Sequence, residues 1–364
     1  MPEQILTEEI LIDKLHDFFR EKPFILFGTG MSCALDNRFG MNALKNELMS
    51  ELPRYKLTTE QQKEWQSVVS SLGARKDLEN ALNAVTEHEL LKIITTVTAR
   101  FIVKLDKNYA YEIADNKRQW PAINLLKRIY DTLSENNSVL HILTPNYDML
   151  FEYTCDYAGL VYTDGFWGGV EKHRDWKSIE QAMREPQRIS YGTKLKTIHK
   201  TKRHIRLYKV HGSLNYFFHH HHVIRNDTWI WEPPEYVERI MITPGLSKYQ
   251  RLQEYRKELL QSADSAIERE SRFLFIGYGF NDIHLETYIK HKLIEQSCHG
   301  LIVTRDFNTR MDSLLSEADN LWLVCKTEND SGTRIYNKHY PDYFLLKGKN
   351  IWDIKEFEAY IFGG

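Results

Sequence analysis

Short apolar runs that alternate with helix-favouring segments dominate the pattern of hydrophobic and polar positions along this chain. Apolar runs that end at glycine or a small polar residue indicate buried strands, and apolar residues that recur every three or four positions indicate helices. The pattern predicts strands at residues 24–27, 139–143, 207–210, 239–243, 273–277, 301–304 and 321–325. It predicts helices at residues 5–19, 41–52, 147–158, 248–270, 283–296 and 308–318. This alternation is typical of an α/β protein with a doubly wound, parallel, Rossmann-like sheet.

Three longer segments depart from the alternation within what we expect to be a single domain, residues 1–364. Residues 53–137 are charged and helix-favouring, so we predict a helical insertion packed beside the sheet. Residues 162–206 are rich in Gly, Trp, Lys and Arg without sustained periodicity, which suggests a long excursion over the functional site. The C-terminal segment 336–364 carries aromatic residues that suit either an interface or packing onto the parent domain: Tyr340, Tyr343, Phe344, Trp352, Phe357, Tyr360 and Phe362.

Glycines and small polar residues directly follow four of the predicted strands. Gly28 and Gly30 come after the first strand, where a tight turn into a helix N-terminus would turn backbone N–H groups towards an anion. Because the carboxyl ends of parallel strands meet at one edge of a sheet, we expect all of these residues to surround one ligand site. In chain order they are Gly28, Thr29, Gly30, Ser32, Thr144, Asn146, Asp148, His211, Gly212, Ser213, Gly277, Gly279, Asn281 and Asp282.

Several of these side chains have a purely structural alternative. Asn146 can cap a helix that begins near Tyr147, and Asp148 can interact with the dipole of its first turn. Asn281 and Asp282 also precede a predicted helix, so capping and binding of a ribose hydroxyl both stay open for them.

The histidine after the strand at 207–210 favours a functional interpretation. His211 ends an apolar run, and Gly212 permits a sharp turn and the close approach of a ligand. An imidazole titrates near neutral pH, which suits proton transfer from a ribose hydroxyl or a water.

Four segments together resemble the sirtuin motifs, in the same order along the chain. Residues 28–32, Gly-Thr-Gly-Met-Ser, resemble the sirtuin Gly-Ala-Gly-x-Ser loop, and residues 144–148, Thr-Pro-Asn-Tyr-Asp, resemble Thr-Gln-Asn-Ile-Asp. The pair His211-Gly212 resembles the sirtuin His-Gly pair. Residues 273–286, FLFIGYGFNDIHLE, resemble the Gly-Tyr-Gly-x-x-Asp signature of a bacterial sirtuin-like branch found in anti-phage defence proteins.

This resemblance implies a sirtuin-type sheet and NAD as the substrate. It implies that Asn146 orients the attacking water or ribose, that His211 is the general base, and that Asp148 belongs to the same catalytic set. The second glycine turn, with Asn281 and Asp282, would hold the adenosine end of NAD. Similar short proteins assemble into rings and work with a HerA-like ATPase or another defence partner, so the resemblance also implies a homo-oligomer with a co-encoded partner.

Two departures from the deacylase pattern direct the expectation towards hydrolysis of NAD to nicotinamide and ADP-ribose. Deacylase sirtuins usually carry a four-cysteine zinc ribbon, whereas Cys33, Cys155, Cys298 and Cys325 are widely separated here. The Phe-Arg that commonly follows the first loop is replaced by DNRFGMNALKNEL. A protein deacylase and a non-catalytic sensor of NAD or ADP-ribose remain the alternatives.

Composition narrows the partners further. With 48 Lys and Arg against 50 Asp and Glu the chain is nearly neutral, so direct nucleic-acid binding is not expected. No stretch reaches the ~20 apolar residues of a membrane span, and we expect a cytoplasmic protein without a membrane contact. The cysteine spacing predicts no metal site, and the histidine run at 219–222 suits a solvent-facing loop better than a metal site. The basic stretch KLKTIHKTKRHIR from Lys194 is expected to be a solvated loop or a subunit contact.

Overall fold

A computed structural model describes residues 5–74, 76–191, 194–243, 254–255, 259–328, 332–340 and 342–363. The strands are β1 Phe24–Phe27, β2 Val139–Thr144, β3 Tyr162–Thr163, β4 Phe166–Gly168, β5 Glu171–Arg174, β6 Arg184–Tyr191, β7 Lys194–Thr201, β8 His204–Lys209, β9 Gly212–His219, β10 His222–Asn226, β11 Glu238–Met241, β12 Arg272–Ile276, β13 His299–Thr304, β14 Leu321–Lys326, β15 Gly332–Tyr336 and β16 Phe344–Lys347.

The helices in the described part of the chain lie mostly between these strands. They are α1 Glu8–Phe18, α2 Thr29–Cys33, α3 Met41–Glu51, α4 Thr59–Gly73, α5 Leu78–Leu82, α6 His88–Ala114, α7 Ile123–Asp131, α8 Leu150–Ala158, α9 Trp176–Ala182, α10 Gln261–Arg269, α11 Ile283–Ile294, α12 Thr309–Glu317 and α13 Ile354–Phe362. Within the described ranges, no helix combines the length and the apolar character that crossing a bilayer requires.

The central sheet has the strand order β16-β15-β14-β13-β12-β1-β2-β8-β3. Neighbouring strands are parallel from β14 to β3, and β15 and β16 extend the sheet in the antiparallel sense. The chain builds the sheet outwards from β1 in one direction and then returns to build β12, β13 and β14 in the other. The predicted α/β class with a doubly wound parallel sheet is therefore confirmed, and β1 and β12 flank its topological switch point.

Side chains of β1 alternate between the two faces of the sheet, as the pleat requires. Ile25 and Phe27 contribute to a core with α1, α7, α8 and α13. Phe24 and Leu26 contribute to a second core with α10, α11 and α12. Both faces of the sheet are covered by helices, which explains why its strands read as continuous apolar runs.

The helical region predicted at 53–137 divides between two cores. Apolar residues of α3, α4, α5 and the first half of α6 form a separate cluster that includes Leu48, Trp65, Leu82 and Ile94. The second half of α6, together with α7, packs against the central sheet. The long helix α6 therefore connects the insertion to the core of the domain.

A second, antiparallel sheet has the order β11-β9-β10-β5-β4. The prediction of a parallel-sheet strand at 239–243 was wrong, because Glu238–Met241 pairs antiparallel with β9. At the other end of β9, His220 and His221 connect to β10 with positive φ angles of 47° and 64°. Positive φ at both central residues is the geometry of a type I′ turn, so the histidine run forms the exposed end of a hairpin.

The excursion at 162–206 contains a hairpin of β6 and β7 that forms a sheet of its own. A cavity of about 640 Å³ separates the base of this hairpin from residues 133–138, which precede β2. Since β2 begins there, the hairpin lies at the amino edge of the sheet, opposite the ends that carry the predicted site. The sequence pattern had suggested that this segment covers the site. The prediction was wrong for the hairpin of β6 and β7.

Aromatic residues of the C-terminal segment pack largely onto the domain itself. Phe357 is fully buried, Phe344, Tyr360 and Phe362 pack against the core beside α1, and Tyr343 is the exposed member of the set. These contacts agree with the packing alternative more than with an interface made by the segment.

Two helix predictions need correction. The helix expected from residue 147 begins at Leu150, three residues later. Of the helix expected at 248–270, residues 248–253 and 256–258 lie outside the described residues, and the described part contains α10.

Candidate active site

The turns that follow β1 and β12 pack directly against each other at the switch point. The N–H of Gly28 donates to the carbonyl of Ile276, and the N–H of Gly30 donates to the carbonyl of Gly277, both over 3.0 Å. Gly28 is also the N-cap residue of the short helix α2. The two predicted glycine turns thus form one backbone-bonded unit.

The glycines of this unit are required by the approach of one backbone to the other. A Cβ atom on Gly30 would lie 2.7 Å from both Cα and O of Gly277, and one on Gly28 would lie 2.6 Å from the same oxygen. Gly277 itself has a φ of 56°, which disfavours any larger residue. These two glycines permit the close approach of protein backbone in this structure, and the approach of a phosphate to the same turn stays a prediction.

Asn146 fastens the loop after β2 to the first glycine turn. Its Nδ2 atom donates to the carbonyl of Gly28 and to Oγ of Ser32, both over 3.1 Å. A carbonyl only accepts hydrogen bonds, so the contact with Gly28 fixes which end of the amide is nitrogen. Oδ1 then lies on the other side, with the Thr29 hydroxyl at 3.4 Å. Because α8 begins only at Leu150, Asn146 does not cap that helix.

Asp148 acts on Asn146 through Ser32. The Ser32 hydroxyl accepts from Asn146 and donates to Oδ2 of Asp148 over 2.7 Å. Oδ1 of Asp148 accepts from the N–H of Leu150, so the predicted interaction with the first turn of the helix is also present. Burial raises the pKa of Asp148, against the attraction of Lys209. Asp148 is a positioning residue in this network.

Thr144 and Lys209 support the same loop from the ends of β2 and β8. The Thr144 hydroxyl accepts from the N–H of Asn146 over 3.1 Å. Nζ of Lys209 lies 2.8 Å from Oε1 of Glu152, and their side chains are 1% and 4% exposed. Burial raises the pKa of Glu152, and the ammonium of Lys209 opposes that shift. A buried charge needs such a partner, so each residue depends on the other.

Asp106 anchors the first turn of α8 from the long helix α6. Its carboxylate accepts from the N–H of Met149 and from the Tyr153 hydroxyl, both over 2.7 Å. The side chain is fully buried, and this burial raises the pKa of Asp106 to about 7. The loop that carries Asn146 is therefore held at both ends by buried polar contacts.

His211 follows β8 and is fixed by the second sheet. Its carbonyl accepts from the N–H of Ile242 over 2.8 Å. Gly212 next to it has a φ of 83°, and a Cβ there would lie 2.0 Å from the carbonyl oxygen of Ile240. Only glycine fits at that point, so the turn that aims His211 depends on it.

The loop after β12 brings a carboxylate to this histidine. Nε2 of His211 lies 2.7 Å from Oδ2 of Asp282, and both side chains are 8% exposed. Helix capping and ribose binding were both left open for Asp282, and in this structure its carboxylate contacts the candidate general base. Its backbone N–H donates to Oε1 of Glu286 over 2.7 Å, and the Tyr278 hydroxyl donates to the same oxygen.

The remaining predicted residues lie further from the centre of the site. Ser213 is buried, and its hydroxyl lies 3.4 Å from the carbonyl of Tyr147, which is a structural contact. Asn281 is exposed, and the carbonyl of Gly279 accepts from Nδ2 of Asn308 over 2.8 Å.

Four supporting residues were not predicted from the sequence: Asp106, Glu152, Lys209 and Glu286. A lysine inside an apolar strand and a glutamate inside the apolar start of a helix are unusual enough to mark a buried pair. Glu286 stands four residues after Asp282, a spacing that places both on one side of a helical turn. Asp106 carries no comparable local signal, because it lies about forty residues from its partners in sequence.

In the described part of the chain, no group of three His, Cys, Asp or Glu side chains is arranged to hold a metal ion. The four cysteines are free thiols on different elements, and Cys155, Cys298 and Cys325 are buried.

A family model described as a SIR2-like domain matches residues 140–321, half of the 364-residue chain. The matched span begins in β2 and includes Asn146, Asp148, His211 and Asp282. The first glycine turn lies before it. No curated protein matches the chain.

Replacing Gly30 by alanine is expected to destabilise the fold, because its Cβ would meet backbone atoms of Gly277 that cannot rotate away. Overpacking of this kind costs about 1–3 kcal/mol or more in the free energy of unfolding. Denaturant titration measures the loss. The control is Gly73→Ala at the end of α4, where a Cβ meets nothing within 4 Å and alanine should be neutral or stabilising. Equal effects of the two substitutions would contradict the close packing of the two turns.

The raised pKa of Asp106 predicts a pH-dependent stability. The folded state keeps a proton up to about pH 7, whereas the unfolded chain releases it near pH ~3.9. The resulting penalty is absent below about pH 4, grows between these values and is complete above about pH 7. Asp106→Asn should therefore lose less free energy of unfolding than the unmodified protein between about pH 5 and pH 8. The exposed Asp13→Asn variant should keep the original pH dependence.

Proposed function

The chain belongs to the family of SIR2-like domains, and from this premise we propose that it is an NAD glycohydrolase that releases nicotinamide and ADP-ribose. Members of this family are generally NAD-dependent enzymes. Hydrolysis of NAD in particular is supported by one observation. His211 pairs with Asp282 over 2.7 Å at the same sheet edge as the oriented amide of Asn146.

Hydrolysis of the bond between nicotinamide and ribose requires a general base and a group that positions the attacking water. Water adds to C1′ of the nicotinamide ribose while the bond from C1′ to the ring nitrogen breaks, and its electron pair leaves with nicotinamide. The proton lost by the water goes to His211, and the carboxylate of Asp282 stabilises the imidazolium that forms. Oδ1 of Asn146 faces the Thr29 hydroxyl at 3.4 Å, and since an amide oxygen has two lone pairs, one is left for the water.

Two alternatives use the same NAD-binding edge. A deacylase would use an acyl-lysine peptide in place of water, and a sensor would bind NAD or ADP-ribose without turnover. The general base favours an enzyme over a sensor, since binding alone needs no proton acceptor.

The biological role that we attach to this activity is NAD depletion by a bacterial anti-phage defence effector. It is supported by the resemblance of residues 273–286 to the defence branch of sirtuin-like proteins. An unrestrained NAD hydrolase would exhaust its host, so the activity has to be gated. The low exposure of the His211 and Asp282 side chains, 8% each, is consistent with such a gate.

His211→Ala and Asn146→Ala should each abolish NAD cleavage in the full-length protein. Loss of a positioned general base typically lowers a rate ~10²–10⁴-fold. Asp282→Asn should lower turnover less than His211→Ala, because the imidazole remains. Nicotinamide release per folded protein, quantified by chromatography, measures each effect.

Matched controls separate these roles from simple destabilisation. His204→Ala removes a buried histidine from the opposite end of the same sheet, and Asn215→Ala removes a buried asparagine from β9. Both should retain turnover per folded molecule. Near-normal nicotinamide release by His211→Ala would reject the assigned base, and NAD binding without any turnover by the unmodified protein would favour the sensor.

The gate predicts a homo-oligomer whose turnover rises when a co-encoded partner binds, with a HerA-like ATPase as the leading candidate. A partner that binds the open state more tightly shifts the population towards it. Light scattering at micromolar concentration tests assembly, and nicotinamide release with and without the partner tests the gate. A strict monomer, or full turnover that no co-encoded protein changes, would overturn this part.

A further inference from the structure

The hairpin of β6 and β7 is a two-stranded ribbon that stands apart from both larger sheets. Eight residue pairs connect its strands, from Arg184 with Thr201 at the base to Tyr191 with Lys194 near the tip. Neither strand pairs with any other strand in the described part of the chain. With a rise of about 3.3 Å per residue, the ribbon is roughly 26 Å long.

The ribbon carries a strong positive charge that the composition of the whole chain conceals. Residues 184–203 contain seven Lys and Arg residues and one acidic residue, Glu185, although the full chain has a formal charge of −2. The basic residues are Arg184, Arg188, Lys194, Lys196, Lys200, Lys202 and Arg203. Acidic residues elsewhere in the chain offset this charge only where they lie close to the ribbon.

Most of this charge is not neutralised by neighbours. Lys200 forms an ion pair with Glu135. Among the described residues, no carboxylate lies within ion-pairing distance of Arg184, Arg188, Lys196 or Lys202, and all four are exposed. A cluster of unpaired cations along one element creates a local positive potential that attracts a polyanion.

The residue register gives the ribbon an open face. Paired residues share a face, so Arg184, Arg188 and His199 stand on one side together with Thr197 and Thr201. Every one of these positions is exposed, so no element covers this face in the described structure.

We infer that this ribbon binds double-stranded DNA. A two-stranded ribbon fits the major groove of B-DNA, and lysine and arginine side chains along its length reach the flanking phosphates. By the register, Arg184 and Arg188 lie on the open face and Lys196 lies on the opposite face, so cations line both faces of the ribbon. An anionic membrane is the alternative partner, because the exposed Leu195 lies near the tip. The ribbon lies at the edge opposite the active site, so the inference stands independently of the proposed reaction.

Fluorescence anisotropy with a short labelled DNA duplex of mixed sequence tests the inference on the full chain. The unmodified protein should bind with a Kd of about 10⁻⁴–10⁻⁶ M at physiological salt and more tightly at low salt. The variant Arg184→Gln, Arg188→Gln, Lys196→Gln, Lys202→Gln should bind at least ~10-fold more weakly at low salt. Its slope of log affinity against log salt should be shallower by about 0.9 for each phosphate that the variant no longer neutralises.

A matched variant removes the same number of charges elsewhere: Lys14→Gln, Lys56→Gln, Lys63→Gln, Lys104→Gln. These lysines are exposed residues outside the ribbon, in the first helix and the helical region. This variant should bind the duplex like the unmodified protein. Thermal unfolding of both variants checks that the fold is intact.

Three outcomes would overturn the inference. They are absence of duplex binding by the unmodified protein at low salt, equal weakening by the two charge variants, and ribbon-dependent binding to phosphatidylserine vesicles without binding to the duplex. A binding loss confined to the ribbon variant supports it, whether or not the chain hydrolyses NAD.

Discussion

The backbone contact between the turns after β1 and β12 is the constraint on which the rest of the site depends. Parallel strands that diverge at a switch point leave a crevice, and here Gly30 and Gly277 close its floor by hydrogen bonding one turn to the other. The first turn then offers the Gly28 carbonyl to Asn146, while the second leads to Asp282 and so to His211. Residues from four separate strands meet because two glycines permit this one contact.

Buried charged side chains hold the loop of Asn146 in place from below. Lys209 and Glu152 pair beneath the loop of Asn146, and Asp106 holds the helix that follows it. A buried ion pair adds little net stability, but loss of either partner leaves an uncompensated charge. These buried charged residues therefore fix the geometry of the loop more than they stabilise the fold.

The sequence predicted strands that are buried along most of their length, such as β1 and β12, because apolar runs bounded by glycine identify strands locally. It failed for β11, since an apolar run does not state which strand will be its partner. The contact between His211 and Asp282 was equally invisible, because the two residues come from loops far apart in the chain. The motif resemblance placed the candidate residues at one edge, whereas their individual contacts follow from long-range packing.

The helix α6 gives the molecule a mechanical property. Its 27 residues make a rod of about 40 Å, with one end in the separate helical core and Asp106 farther along it. A hydrogen-bonded helix resists bending between these points. We therefore expect a movement of the helical core to be transmitted through α6 and to displace the first turn of α8. A molecule that binds the separate helical core could therefore shift the loop that carries Asn146.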